Sequence, residues 1–332
     1  MARDRTFTAP RRATSRRGAV AVSRAVAVAV VLAAVVTAAG CATRADGPPT
    51  AGDGPAEPQG TGAAIEKDAG ALLQPEDLAY LGAFRLPEGE DADVRTWAWA
   101  DGSIACNPGG DPGGPDDGFG GSLFGIGHDQ HFFVSEIDIP APVISRDKRA
   151  ADLPTARTLQ GFADVFGPLI EGLEIPVGAI AYLPDATAGG GAGTLHLSWG
   201  QWLQYELVPS RAWCDADLSA SDTTGAWFLG ELDVRGTGDY VFPAPREWAQ
   251  RYASGRTLVT GRFKDGGQAS MGPTLYAYAP WELGDPPPDG AIIPSTTLLA
   301  YDSADDVDPA AGRTLRGYEH SDQWPAAAWI VA

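Results

Sequence analysis

The sequence predicts an all-β fold, and three observations carry that expectation. Short runs place apolar residues at every second position, as in Thr194-Leu195-His196-Leu197-Ser198-Trp199. The 42 Gly and 27 Pro fall in clusters between such runs, with Asp beside them, which is the chemistry of turns. No long stretch of the folded part keeps a 3.6-residue apolar period.

The chain first has to be divided. Arg3, Arg5, Arg11, Arg12, Arg16, Arg17 and Arg24 make a basic start, followed by an uncharged run from Ala25 to Ala39. Fifteen helical residues reach roughly 22 Å, short of the ~30 Å hydrocarbon core of a bilayer. A basic head, a short apolar stretch and small residues at its end describe an export signal, residues 1–40, rather than a retained membrane helix. Ala38-Ala39-Gly40-Cys41 resembles the lipobox of bacterial lipoproteins. The resemblance implies cleavage before Cys41 and a diacylglyceryl group on its thiol. Ala38 departs from the Leu usual at that position. Ser15-Arg16-Arg17-Gly18-Ala19-Val20 also resembles a twin-arginine signal, leaving the export route open.

Residues 41–71 then read as the lipidated Cys41 and a disordered tether. Between 42 and 70 Ile65 is the only large aliphatic residue, too little apolar surface to order a chain. The whole chain carries a net charge of −19, and without residues 1–40 the figure is −25 over 292 residues. Such acidity argues against a nucleic-acid partner, which needs a basic face. The expected partners are the lipid bilayer, through Cys41, and an extracytoplasmic ligand; the expected location is outside the cytoplasm on the membrane.

Residues 72–332 form the domain. Ile137 and Ile139 alternate with Glu136 and Asp138, Leu232 and Val234 with Glu231 and Asp233, and each set reads as a half-buried strand. Ala156–Phe166 and Pro245–Tyr252 are the best helical candidates. Phe133–Ile139 is echoed by Phe228–Val234, and more loosely by Tyr80–Leu86 and by the runs ending at Pro184 and Pro280. The residues after these runs are 87, 140, 184, 235 and 280, a period of about 48. In period and strand texture the domain resembles a β-propeller, loosely of the kelch kind. The resemblance implies four-stranded blades stacked radially to bury both faces. A β-sandwich or a β-helix is the alternative. The run Ala326–Ala332 reads as an opening strand, so the propeller is expected to be incomplete here and to continue beyond Ala332.

Candidate chemistry concentrates in residues 106–138. Asp111, Asp116 and Asp117 form an oxygen-rich set of the kind Ca²⁺ prefers, although their spacing is not that of an EF-hand loop and a solvated Gly/Pro/Asp turn is the favoured reading. His128 and His131 converge only if Gly127 and Asp129 make a turn; with Asp117 they are the candidate catalytic groups. His196 falls on the polar side of its strand. Trp97 and Trp99, assigned to one strand face, and Trp199 and Trp202 are candidates for stacking on a sugar ring, or for filling the space between sheets. Cys106 and Cys214 are a candidate disulfide in an oxidising compartment. No GxSxG elbow, P-loop or dinucleotide fingerprint is present. Two functions follow as expectations: a binding module for a carbohydrate, peptide or envelope partner, or a hydrolase or lyase built on carboxylates and histidines. Convergence of Asp111, Asp117, His128, His131 and Glu136 on one pocket would favour the enzyme.

Overall fold

A computed structural model describes residues 75–100, 103–184, 193–201, 207–230, 238–262, 273–300, 324 and 326–330. The export signal, Cys41, the tether, Trp202, Glu231–Val234 and His320 lie outside the described residues. Among the described residues no helix is long and apolar enough to cross a membrane.

The described chain is all-β, in three open sheets that follow one another in sequence. The first contains β1 (Ile104–Asn107), β2 (Gly118–Ile126), β3 (Val134–Pro140) and β4 (Thr158–Ala163), paired antiparallel in that order. A four-residue helix, α1 (Gly114–Asp117), precedes β2. The second sheet contains β5 (Pro176–Leu183), β6 (Thr194–Gln201), β7 (Arg211–Asp215) and β8 (Thr224–Leu229). The third contains β9 (Tyr240–Pro243), then β10 (Leu258–Gly261) and β11 (Leu275–Tyr278) after helix α2 (Arg246–Tyr252). Between β11 and the last strand of this sheet the chain crosses back. There β12 (Ile292–Ile293) pairs parallel with β8, before β13 (Ser295–Leu299) closes the third sheet against β11.

The sheets stack face to face. Phe124, Ile126 and Val134 of the first meet Ile180, Leu195, Leu197 and Trp199 of the second in one core. Ala179, Ala181, Trp227 and Leu229 on the other side of the second sheet meet Val241, Leu258, Tyr276 and Tyr278 of the third. Each fully buried aliphatic or aromatic side chain contributes roughly 1.5–3 kcal/mol of transfer free energy. The first strands β1, β5 and β9 lie side by side.

Both outer faces of the stack are covered. On the first sheet a strap of residues 83–97 lays Phe84, Leu86 and Trp97 over Leu123, Ile137 and Ile139. Glu90 anchors the strap by accepting a hydrogen bond from the Phe162 backbone N–H of edge strand β4, at 2.9 Å. On the third sheet α2 packs Ala249 and Ala253 over Tyr240, Phe242 and Val259. Trp329 lies against Trp248 of that helix, ring centroids 4.5 Å apart.

Several expectations change here. The architecture does not follow a period near 48: the sheets begin at Ile104, Pro176 and Tyr240, steps of 72 and 64 residues. The runs that look alike occupy unlike places. Phe133–Ile139 and the run before Pro280 are third strands, the run before Pro184 is a first strand, and Phe228 belongs to a fourth strand, β8, flanked by β12. Tyr80–Leu86 is no strand and makes only isolated bridges, Ala83 with Val143 and Arg85 with Thr155. Ala156–Phe166 is not a helix but holds β4, whereas Pro245–Tyr252 matches α2. Residues 326–330 form no strand and serve as the Trp329 contact. The strands are antiparallel meanders, not the parallel coils of a β-helix, and three sheets replace the two of a sandwich.

Candidate functional site

The acidic residues of β3 are buried rather than half-solvated. Val134, Glu136 and Asp138 share one face by the two-residue alternation of a strand, turned toward the second sheet. Glu136 accepts from Ser122 Oγ and, at 2.6 Å, from Gln160 Nε2. Gln160 also donates to the Ala216 carbonyl at 2.9 Å and accepts from the Leu218 N–H at 2.8 Å, joining the two sheets. Asp138 accepts from Arg157 Nε at 2.6 Å, and Arg157 Nη2 reaches Asp111 Oδ2 at 3.3 Å. Asp111 Oδ1 accepts from the Gly113 N–H at 3.1 Å. A Cβ at Gly110 would overlap Ser122 Oγ, so only glycine lets this loop close over the pair.

These bonds occupy the oxygens a cation would need. Among the described residues no group of three or more His, Cys, Asp or Glu is placed to hold a metal ion. Asp111 is committed to Arg157, Asp116 is exposed on α1, and the Asp117 side chain lies outside the described atoms.

His128 and His131 do converge, but elsewhere. They sit in the β2–β3 turn with ring centroids 5.4 Å apart. The His131 and Phe132 N–H groups both donate to the His128 carbonyl at 3.0 Å, which closes the turn. His128 Nδ1 lies 3.2 Å from the Gln130 N–H and 3.0 Å from Asp129 Oδ1. A neutral ring accepts the first contact, and a protonated Nδ1 donates to the second.

The strap brings Trp99 to the same turn. Asp129 N–H donates to the Trp99 carbonyl at 3.1 Å, and Ala100 bridges to His128. Trp99 has φ of +60°, a left-handed conformation that a bulky residue adopts only under constraint. It leaves the indole 78 % exposed. Trp97 and Trp99 therefore do not share a face: Trp97 turns inward against Phe162, centroids 4.9 Å apart. Phe133 completes the surface, with His131 at 6.4 Å and the Arg95 guanidinium 5.8 Å over its ring. Arg95, Asp129 and Phe133 were not distinguishable by residue type alone. The glycine-flanked spacing of the two histidines was the usable signal.

Other candidates are structural. Trp199 is buried between the first two sheets. His196 faces the third sheet between Trp213 and Trp281, with Thr194 Oγ1 3.2 Å from Nε2. Its side of β6 is thus buried too, and burial pushes its pKa down to about 3. Deep in the same interface Arg211 donates to Ser198 Oγ and to Thr260 Oγ1 and lies 5.2 Å over the Tyr278 ring. Arg262 pairs with Asp239 at 3.3 Å. Cys106 and Cys214 are free thiols, against the expected disulfide. Ala105 faces the second sheet, so its neighbour Cys106 projects to the other side of β1, while Cys214 lies inside the shared core. Burial holds the Cys214 thiol up at about 12.

Of the residues whose convergence would favour an enzyme, the four with described side chains, Asp111, Glu136, His128 and His131, do not come together. Asp111 and Glu136 belong to a satisfied internal network, and the histidines belong to an open aromatic turn. No protein-family model, curated protein or solved structure matches this chain.

Proposed function

We propose that the chain is an extracytoplasmic lipoprotein, held at the bilayer by acylated Cys41, that binds carbohydrate at the Trp99 turn. The observation that carries the reading is the exposed Trp99 indole fixed beside His128 and Asp129. An indole face covers the apolar C–H face of a sugar ring, and a carboxylate with an imidazole bonds the hydroxyls at its rim. For the fold, a propeller-like arc of three blades is the finer proposal. Its support is three consecutive meanders whose first strands are neighbours.

The test is binding to insoluble envelope polysaccharides, compared between the native chain and Trp99→Ala. Loss of about tenfold in affinity, in line with an aromatic hot spot, supports the site. Equal binding rejects it, and binding of peptides alone would make the partner a protein. Mass spectrometry of the processed N-terminus tests the anchor, a diacylated Cys41 being the expected species.

A second reading is a hydrolase or lyase using His128 and His131, with Asp117 as a third candidate. One observation favours it, the two imidazoles 5.4 Å apart with Asp129 on His128 Nδ1. Sugar turnover abolished by His131→Ala, with binding retained, would establish it.

A further inference from the structure

We infer that the loop after β3 and the segment entering the domain form a membrane-docking surface, which seats on anionic lipid headgroups and orients the Trp99 face. Val143 and Ile144 are exposed at the start of this loop, and Leu78, Tyr80 and Leu81 are exposed on the entering segment. The two segments are held together: Ala83 and Val143 exchange both backbone hydrogen bonds at 3.1 Å. Gly82 permits the approach, since its φ is +135° and a Cβ there would lie 2.6 Å from the Val143 backbone.

Glu76 and Asp77 flank Leu78 on the entering segment, but on the loop side of this patch basic residues gather. Arg146, Lys148 and Arg149 are all exposed, in a chain whose net charge is −19 and which has only Lys67, Lys148 and Lys264 as lysines. Arg149 pairs with Asp152 at 3.0 Å and Asp147 at 3.6 Å, so both acids of the loop are matched. Arg146 and Lys148 make no ion pair among the described residues. The loop is rigid. Ser145 Oγ accepts from the Arg149 N–H at 2.9 Å and donates to Asp152 at 2.8 Å, and Lys148 is held at φ +54°. Apolar side chains beside unmatched cations are what an interfacial anchor needs. Of the other exposed apolar side chains among the described residues, Trp281, Leu283 and Ile292 stand among Glu282, Asp285 and Asp289, and Tyr252 carries Arg251 over its ring.

Position in the chain points the same way. Leu78 lies soon after the segment that leads from Cys41, so in an anchored molecule this surface is close to the tether. That orientation in the cell rests on the anchoring proposed above; the affinity of the loop for lipid does not.

Two measurements test the inference separately from the anchor. The first uses the acylated full chain on vesicles of phosphatidylcholine with phosphatidylglycerol. Tryptic cleavage at residues 146–149 should slow at least about fivefold against detergent-released protein, with cleavage at Arg251 unchanged. The second uses the chain without the export signal, residues 41–332, with Cys41→Ser, so neither the basic signal nor an acyl chain is present, and co-sedimentation with the same vesicles. Adding Ile144→Asp, Arg146→Glu and Lys148→Glu should lower binding about tenfold, and vesicles of phosphatidylcholine alone should show no such difference. Equal cleavage together with equal sedimentation overturns the docking surface. Loop-dependent sedimentation upholds it, and a native N-terminus found without acyl groups on Cys41 then removes the anchor alone.

Discussion

The backbone N–H of Asp129 donates to the carbonyl of Trp99 at 3.1 Å, and this bond ties the strap over the first sheet to the β2–β3 turn. It fixes Trp99 at φ +60°, where a residue with a Cβ pays a conformational penalty that glycine does not. Trp99→Gly should therefore stabilise the domain by about 1 kcal/mol, read as a higher urea midpoint, while weakening carbohydrate binding about tenfold. A loss of stability would show that the indole packs more than its exposure indicates.

Gln160 bonds Glu136 within the first sheet and ties that sheet to the second through two further hydrogen bonds, to Ala216 and Leu218. Gln160→Ala should cost about 2–3 kcal/mol in chemical denaturation. Gln160→Glu should cost at least as much despite its equal size, because it turns an oxygen toward the Glu136 carboxylate and the Ala216 carbonyl.

His196 gives the fold a sensitivity to acid. Its folded pKa of about 3 lies below the ordinary 6.5, because burial disfavours the imidazolium. The unfolded chain therefore takes up a proton below pH 6.5 that the folded chain refuses. The stability His196 supports is complete above pH 6.5 and is lost as the pH falls toward 3, at roughly 1.4 kcal/mol per unit. In His196→Gln this component should vanish. Denaturation curves at pH 7 and pH 4.5 should show a shallower acid loss for the variant than for the native chain.

The cysteines give a direct chemical check. Cys106 is exposed and should react with a maleimide in the folded protein, whereas Cys214 is buried and should react only after denaturant is added. Absence of any reactive thiol in both states would mean that a 106–214 bond forms, and that β1 and β7 sit otherwise than described.

How much of this was legible in the residues depended on what each pattern reports. Alternation along Thr194–Trp199 and Ile137–Ile139 located β6 and β3 because it reports a strand with two unlike faces. It did not reveal that the polar face was also buried. Glu136, Asp138, His196 and Ser198 all lie between sheets, where hydrogen bonds replace water. Alternation likewise says nothing of a strand's rank in its sheet, which is why third, first and fourth strands looked like copies of one repeat. Pro245 and a short amphipathic run marked α2. Ala156–Phe166 misled because its apolar residues fit either period, and pairing with β3 decided for a strand. The His128–His131 turn was readable from its flanking glycine. The arrival of Trp99 beside it was not, since that depends on where the strap lies.

The strap also bears on what happens when many copies share one surface. A lipid-tethered protein is confined to two dimensions, where collisions between edges are frequent and repeatedly aligned. The outer strand of the first sheet would be the natural template for a neighbour's strand. Glu90 occupies the Phe162 amide there with a carboxylate, and Gly161 leaves room for no more than that side chain. An incoming strand meets a negative charge where it needs a free donor. On the anchoring proposed above, the Glu90 carboxylate guards this edge against strand pairing between crowded copies, and its loss would favour clustering.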